Sequence, residues 1–272
     1  MTQIAFIGGG NMASSIIGGL IRQGDVKANM IHVADPGEAQ RSRLEKSFGV
    51  LTHADNQEAI AKADVVIMAV KPQVMKDVLA PLHATLSSRQ PLLISIAAGI
   101  SMASLGRWSG CQSIVRCMPN TPALLSLGAT GLFATKDVNL DQRNMADSLL
   151  RAVGLTVWVK SEAEIDAVTA VSGSGPAYYF LLMEAMIDAG QKLGLSAETA
   201  TKLTLQTALG AAQMALNADV DPAELRRRVT SPGGTTERAI NTFEAAHLRD
   251  IVDAALTACR DRGVELSQQL GE

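Results

Sequence analysis

Ile4-Ala5-Phe6-Ile7-Gly8-Gly9-Gly10-Asn11-Met12-Ala13 is the stretch from which the rest of the chain can be read. Four β-prone apolar residues stop at three glycines, and from Asn11 to Ile21 apolar residues recur at helical spacing. The pattern G-x-G-x-x-A, set between a strand and a helix, is the turn that receives a pyrophosphate. Gly8 makes the tight turn, Gly10 lets the backbone approach the ligand, and Ala13 lets the helix lie close to the sheet. Amides at a helix N-terminus attract a dianionic bridge without help from a lysine. Glycines that merely build a structural turn are the competing reading, and the strand-to-helix context favours the ligand.

Working outward, Ile31-His32-Val33-Ala34 repeats the strand signal and ends at the turn Asp35-Pro36-Gly37, before a polar helical stretch from Glu38 to Lys46. Val65-Val66-Ile67-Met68-Ala69-Val70 is apolar without alternation, as a parallel strand covered on both faces must be, and belongs in mid-sheet. Further strands are expected at Leu92–Ile96, Ser113–Arg116, Gly131–Ala134 and Thr156–Val159. Beyond Ser161 the period turns helical and no β-run returns. The predicted architecture is therefore α/β: a Rossmann-type dinucleotide-binding sheet domain over 1–160 and an all-helical domain over 161–272. No flexible linker separates them.

Capping chemistry places helix starts in the second half. Ser161-Glu162-Ala163-Glu164 reads as a capping box, and Asp221-Pro222-Ala223-Glu224 offers an N-cap acid, proline at the first helical position and glutamate at the third. A long helix is expected from about Thr235 to Arg260. Ala208, Gly210, Ala211, Ala212 and Ala215 leave one helix face low in bulk, suited to close helix contacts such as a subunit interface.

Composition removes several classes of function. With 24 Lys+Arg against 27 Asp+Glu there is no cationic surplus to gather nucleic acid. No apolar run approaches the roughly 20 residues of a membrane span, and the N-terminal stretch lacks the basic region of an export signal. Cys111, Cys117 and Cys259 form no close pair, which fits free thiols in a reducing, cytoplasmic setting. His32, His53, His83 and His247 are scattered, so no bound metal is expected. No G-x-S-x-G elbow appears, and Cys117 reads as packing rather than as a nucleophile.

The acid after the second strand, Asp35, would accept a hydrogen bond from a ribose 2′-hydroxyl and repel a 2′-phosphate, whereas Arg41 and Arg43 would pair with that phosphate or simply solvate a helix face. The residues alone leave NAD and NADP both open. Ala69-Val70-Lys71-Pro72, Ala97-Ala98-Gly99 and Met118-Pro119-Asn120-Thr121-Pro122 fall where loops leave the carboxyl ends of parallel strands. Lys71 either faces the cofactor or is a solvated loop cation. In the helical half, Ser172-Gly173-Ser174-Gly175-Pro176-Ala177-Tyr178 opens or interrupts a helix, either for helix packing or for close approach to ligand. Ser231-Pro232-Gly233-Gly234-Thr235-Thr236 brings glycine amides and hydroxyls to a helix N-terminus, an arrangement that suits a carboxylate, though capping alone would also use it.

With Phe6-Ile7-Gly8-Gly9-Gly10-Asn11-Met12-Ala13, Val70-Lys71-Pro72, Pro119-Asn120-Thr121-Pro122, Ser172-Gly173-Ser174-Gly175-Pro176-Ala177 and Ser231-Pro232-Gly233-Gly234-Thr235-Thr236 in order, the chain resembles pyrroline-5-carboxylate reductases over essentially its whole length. The resemblance implies an oxidoreductase of proline biosynthesis that passes hydride from NADPH, or in some members NADH, to the C=N carbon of 1-pyrroline-5-carboxylate. It implies cofactor contacts at Ile7, Gly8, Gly9, Gly10, Asn11, Met12, Asn56, Ala69, Val70, Lys71, Pro72, Ala97, Ala98 and Gly99. It also implies substrate contacts at Ser231, Gly233, Gly234, Thr235 and Thr236, with Thr236 at the ring nitrogen as the catalytic choice. The helical domain would form a homodimer that can assemble to a decamer. Asn56 enters only through this comparison. Two rival readings are a hydroxy-acid dehydrogenase of similar plan and a cofactor-bound scaffold. The first would place a lysine in the helix after Gly175, where none occurs before Lys192, and the second needs no carboxylate-sized loop.

Overall fold

The computed structural model describes residues 2–271. Eight strands form one sheet: β1 Ile4–Ile7, β2 Ile31–Ala34, β3 Leu51–His53, β4 Val65–Met68, β5 Leu92–Ser95, β6 Ile114–Met118, β7 Gly128–Ala134 and β8 Gly154–Trp158. Their order is β3-β2-β1-β4-β5-β6-β7-β8, parallel throughout except for the antiparallel pair β6–β7. The chain reverses its direction of winding between β1 and β4, which opens a crevice at the carboxyl ends of those strands. The strand Leu51–His53, not foreseen, is only three residues long and exposes Leu51, so it carries no apolar run to read.

Helices α1 Asn11–Gln23, α2 Glu38–Phe48, α3 Asn56–Ile60, α4 Met75–Leu79, α5 His83–Arg89, α6 Met102–Ser109 and α7 Leu140–Arg151 connect the strands. The alternation of side chains along each strand explains the unbroken apolar runs. Ile4 and Phe6 pack with Ile16, Ile17, Leu20, Leu149 and Leu150 on one face. Ala5 and Ile7 pack with Ile60, Met75, Leu79, Leu86 and Leu105 on the other. With both faces covered, every strand residue of β1 and β4 is buried.

The remaining helices are α8 Ala163–Val168, α9 Gly175–Lys192, α10 Ala197–Asn217, α11 Pro222–Arg228, α12 Thr235–Ala245 and α13 Leu248–Leu270, with a π-turn over Thr169–Gly173 between α8 and α9. The secondary structure changes character after Trp158, whereas the compact sheet unit runs on to Ser174 and takes in the chain from Ala258 onward; Gly175–Thr257 form the second unit. The cause is packing of α8 on β6 and β7, and contact of the last turns of α13 with the loop after β5 and with α6.

Two sequence expectations change here. Glu164 does not complete a capping box: its carboxylate accepts from the Ser161 hydroxyl at 3.1 Å while its own N–H donates to the Ser161 carbonyl, so the hydroxyl never serves as the backbone cap. Glu162 instead turns toward the sheet. The helix expected from Thr235 to Arg260 is broken at Ala246-His247, where His247 adopts φ 57°, a left-handed conformation that ends an α-helix. Asp221 caps α11 as expected, accepting from Glu224 N at 2.8 Å.

Arg116 on β6 is 2 % exposed and donates to Glu162 at 3.0 Å and Asp166 at 2.9 Å, while Glu162 also accepts the Met102 N–H at 2.7 Å. A guanidinium there is stable only because both carboxylates meet it. Arg116→Met should lower the unfolding free energy by about 3 kcal/mol, since it strands two carboxylates against apolar surface. Urea denaturation of the two proteins checks this, and an unchanged midpoint would refute it.

Candidate active site

The glycine turn is built as its spacing demands. Gly8 has φ +98°, and a Cβ there would lie 2.7 Å from the Ala69 carbonyl oxygen. Its N–H donates to Ala34 O at 2.8 Å, and Ala69 N–H donates to Ile7 O at 2.8 Å, so the ends of β1, β2 and β4 share one hydrogen-bonded edge. Gly10 caps α1 with no side-chain acceptor, no acid stands in the first turn, and a Cβ on Gly10 would meet nothing within 4 Å. Open amides facing open space suit a pyrophosphate. The residues therefore fit a dinucleotide.

Ile7 through Met12, Asn56, Ala69 through Pro72 and Ala97 through Gly99 all stand at the carboxyl ends of β1, β3, β4 and β5, so the sheet gathers the whole predicted cofactor set on one edge. Asn56 begins α3 behind its cap Asp55, which accepts from Gln57 N at 2.9 Å. Gly99, at φ +67°, is closed in by Leu266, whose Cβ lies 3.0 Å from where a Gly99 Cβ would be. Lys71 is exposed, at the start of a short 3-10 turn led by Pro72.

Asp35 has a part in the turn itself. Its carboxylate accepts Gly9 N–H and Gly37 N–H, each at 2.9 Å, and so braces the glycine turn with both oxygens. Gln40 donates to the Gly9 carbonyl on the same turn. Arg41 donates to the carbonyls of Asp35 and Pro36, and Arg43 to Ser14 Oγ at 3.3 Å, on the first turns of α1. Beside this corner His32 Nδ1 and His53 Nε2 stand 2.9 Å apart with stacked rings. Burial, and then the neighbouring His53, hold the His32 pKa below its ordinary value. The His32–His53 pair had no sequence signal, because β3 itself was not legible.

In the second unit, Ser231–Thr235 forms a compact loop before α12. Gly234 N–H donates to Ser231 O at 3.0 Å, Gly233 takes φ +73°, and its N–H donates to Glu237 Oε2 at 2.8 Å. Gly234 caps α12 without any side chain, and Ser231, Thr235 and Thr236 are exposed. Hydroxyls not spent on capping are available to a ligand. Cys117 is 1 % exposed; burial pushes its thiol up, Arg116 opposing, so it is not a thiolate near neutral pH. Among the described residues no metal-holding cluster of His, Cys, Asp or Glu occurs.

The chain is 58% identical to a pyrroline-5-carboxylate reductase of Pseudomonas aeruginosa over 271 residues, covering 99% of this chain and 98% of that one. The chain belongs to the pyrroline-5-carboxylate reductase family. A relative of the same name from Haemophilus influenzae is 48% identical over 265 residues, 97% of each chain. Residues 162–266 match the family described as pyrroline-5-carboxylate reductase dimerisation, and residues 3–99 match that described as NADP oxidoreductase coenzyme F420-dependent. The solved pyrroline-5-carboxylate reductase of Coxiella burnetii superposes with a TM-score of 0.93 at 48% identity, covering 98% of both chains. That of Plasmodium falciparum, solved with NADP bound, gives 0.86 at 30% identity and 98% coverage of both. A 3-hydroxyisobutyrate dehydrogenase of Mycobacterium tuberculosis, at 20% identity and a TM-score of 0.51, shares the fold alone.

The bracing of the glycine turn makes a direct test for this reductase. Asp35→Asn keeps the shape but sets an amide group against one of two backbone donors, and should raise the KM for the nicotinamide cofactor about tenfold. Steady-state assays varying cofactor would show it. An unchanged KM would mean that Asp35 does not shape the turn.

Proposed function

We infer that this chain reduces 1-pyrroline-5-carboxylate to proline with hydride from a reduced nicotinamide dinucleotide. Identity of 58% across nearly the whole of a relative of that name carries the reading, joined by a glycine turn whose open amides suit the cofactor. The bound cofactor supplies the hydride. The chain's own residues hold and orient the reactants. Backbone amides of Gly10, Asn11 and Met12 hold the pyrophosphate while Ile7, Gly8 and Gly9 shape the turn beneath it, and Asn56, Ala69 to Pro72 and Ala97 to Gly99 line the remainder of the cofactor.

Ser231, Gly233, Gly234 and Thr235 hold the substrate carboxylate, through the amides of the first turn of α12 and, once Glu237 gives it up, the Gly233 N–H. The Thr236 hydroxyl hydrogen-bonds the ring nitrogen and orients the C=N carbon. A cyclic imine can be protonated before hydride arrives, so its carbon is already electrophilic and positioning supplies much of the rate. Thr236→Ala should lower kcat/KM by roughly ten- to a hundredfold, the loss of one hydrogen bond to a charged group. Normal kcat/KM in correctly assembled protein would remove Thr236 from the reaction.

NADPH is the preferred donor. Arg43 stands at the mouth of α1 beside Ser14, at the corner where the chain leaves β2, and its guanidinium suits a ribose 2′-phosphate there. Arg43→Ala should then lower kcat/KM for NADPH by about fivefold to tenfold and leave NADH nearly unchanged. Equal losses with both cofactors would refute the assignment.

The working species is a homodimer able to build a decamer. Tyr179, Phe180, Leu181, Leu182 and Leu209 are exposed on α9 and α10, within the segment that matches the dimerisation family, and a second copy of the chain would cover them. Cys111, Cys117 and Cys259 are free thiols, which suits the reducing cytoplasm.

A further inference from the structure

The carboxyl end of β6 carries a buried side chain that neither the cofactor set nor the substrate loop includes. Asn120 is 9 % exposed and makes two hydrogen bonds at once: its Oδ1 accepts Ala129 N–H at 2.8 Å, and its Nδ2 donates to the Ser172 carbonyl at 3.0 Å. Ser172 lies in the π-turn Thr169–Gly173.

That turn has a cause in the covalent chain. In an α-helix the Ser172 carbonyl would accept from the residue four places on, which is Pro176, and proline has no N–H to give. Its ring would also press on that same carbonyl. The π-turn is where the helix departs from α geometry, with Ser174 N–H donating to Thr169 O at 2.8 Å. Gly173 lies close against β6, where a Cβ would come within 2.6 Å of the Met118 terminal methyl and push that side chain aside. Ser174 Oγ, just beyond, accepts from Cys259 Sγ at 3.4 Å.

We infer that Asn120 is a positioning residue for the reduction: its carboxamide, oriented by Ala129, satisfies the carbonyl that Pro176 leaves without its usual donor and thereby holds the Ser172-Gly173-Ser174 turn against the end of β6. β6 runs parallel to β5, so this turn is tied to the same strand-end edge as Ala97–Gly99. The inference rests on the reductase reading for its effect on rate, and on hydrogen bonding alone for its effect on the turn.

Asn120→Asp separates the two bonds, since a carboxylate still accepts from Ala129 but cannot donate to Ser172. At pH 8 the variant should show kcat/KM for the imino acid lowered about tenfold, with KM for NADPH within about twofold of wild type. Amide hydrogen exchange at Gly173 and Ser174 should be faster in the variant at pH 8.

Wild-type kcat/KM in Asn120→Asp, unchanged exchange at Gly173 and Ser174, or a loss that merely scales with the unfolded fraction, would overturn the inference. If Asn120→Asp does not fold, Asn120→Ala removes both bonds without adding a charge and should show the same fall in kcat/KM with KM for NADPH within about twofold; wild-type kcat/KM in that variant also overturns the inference. If the wild type itself fails to reduce the imino acid, the reductase reading fails, while the exchange rates still judge the clamp.

Discussion

Gly8 leaves β1 at φ +98° with the Ala69 carbonyl so near that no side chain fits, and the function depends on that close approach. It lets β1 and β4 lie as neighbours while the chain turns at once into α1, whose first amides stay open. Any larger residue would force either the strand pair or the helix start to move. Asp35 extends the same constraint sideways, because its two acceptors take N–H groups from the turn after β1 and from the turn after β2. The residue expected to read the ribose thus serves first as a brace.

Farther along the sheet edge, polar groups take over this work from glycine. Arg116 carries charge into a buried site on β6 and is met by Glu162 and Asp166, which draw α8 onto the sheet. Asn120 then ties the following π-turn to the loop after the same strand. Buried polar contacts of this kind add specificity of position more than stability, since each loses nearly as much hydration as it gains in bonding. They define where the chain leaves the sheet unit at Ser174.

Much of this was legible in the residues. The unbroken apolar runs of β1 and β4, the nearly apolar β2 and β5, which admit only His32 and Ser95, and the glycine signature revealed the sheet and its cofactor edge, because burial on both faces leaves little room for polar residues. The cap at Asp221 was equally readable, being local chemistry. Failures fell where a distant partner decides. Ser161 and Glu164 read as a capping box that the fold does not make, Glu162 between them is claimed by Arg116, and Leu51–His53 becomes a strand only because β2 is there to pair with it.

The amino-acid sequence by itself determined the fold class, the pyrophosphate turn and the hydroxyl-bearing loop at Ser231–Thr236, since each follows from residue types a few positions apart. Only the tertiary structure decided what Asp35, Glu162 and Asn120 do. Asp35 meets Gly37 locally, but its second oxygen, like the polar atoms of Glu162 and Asn120, bonds whichever backbone or side chain the fold delivers to it. The break at His247 belongs with them: no proline marks it in the sequence, and only the folded backbone shows it.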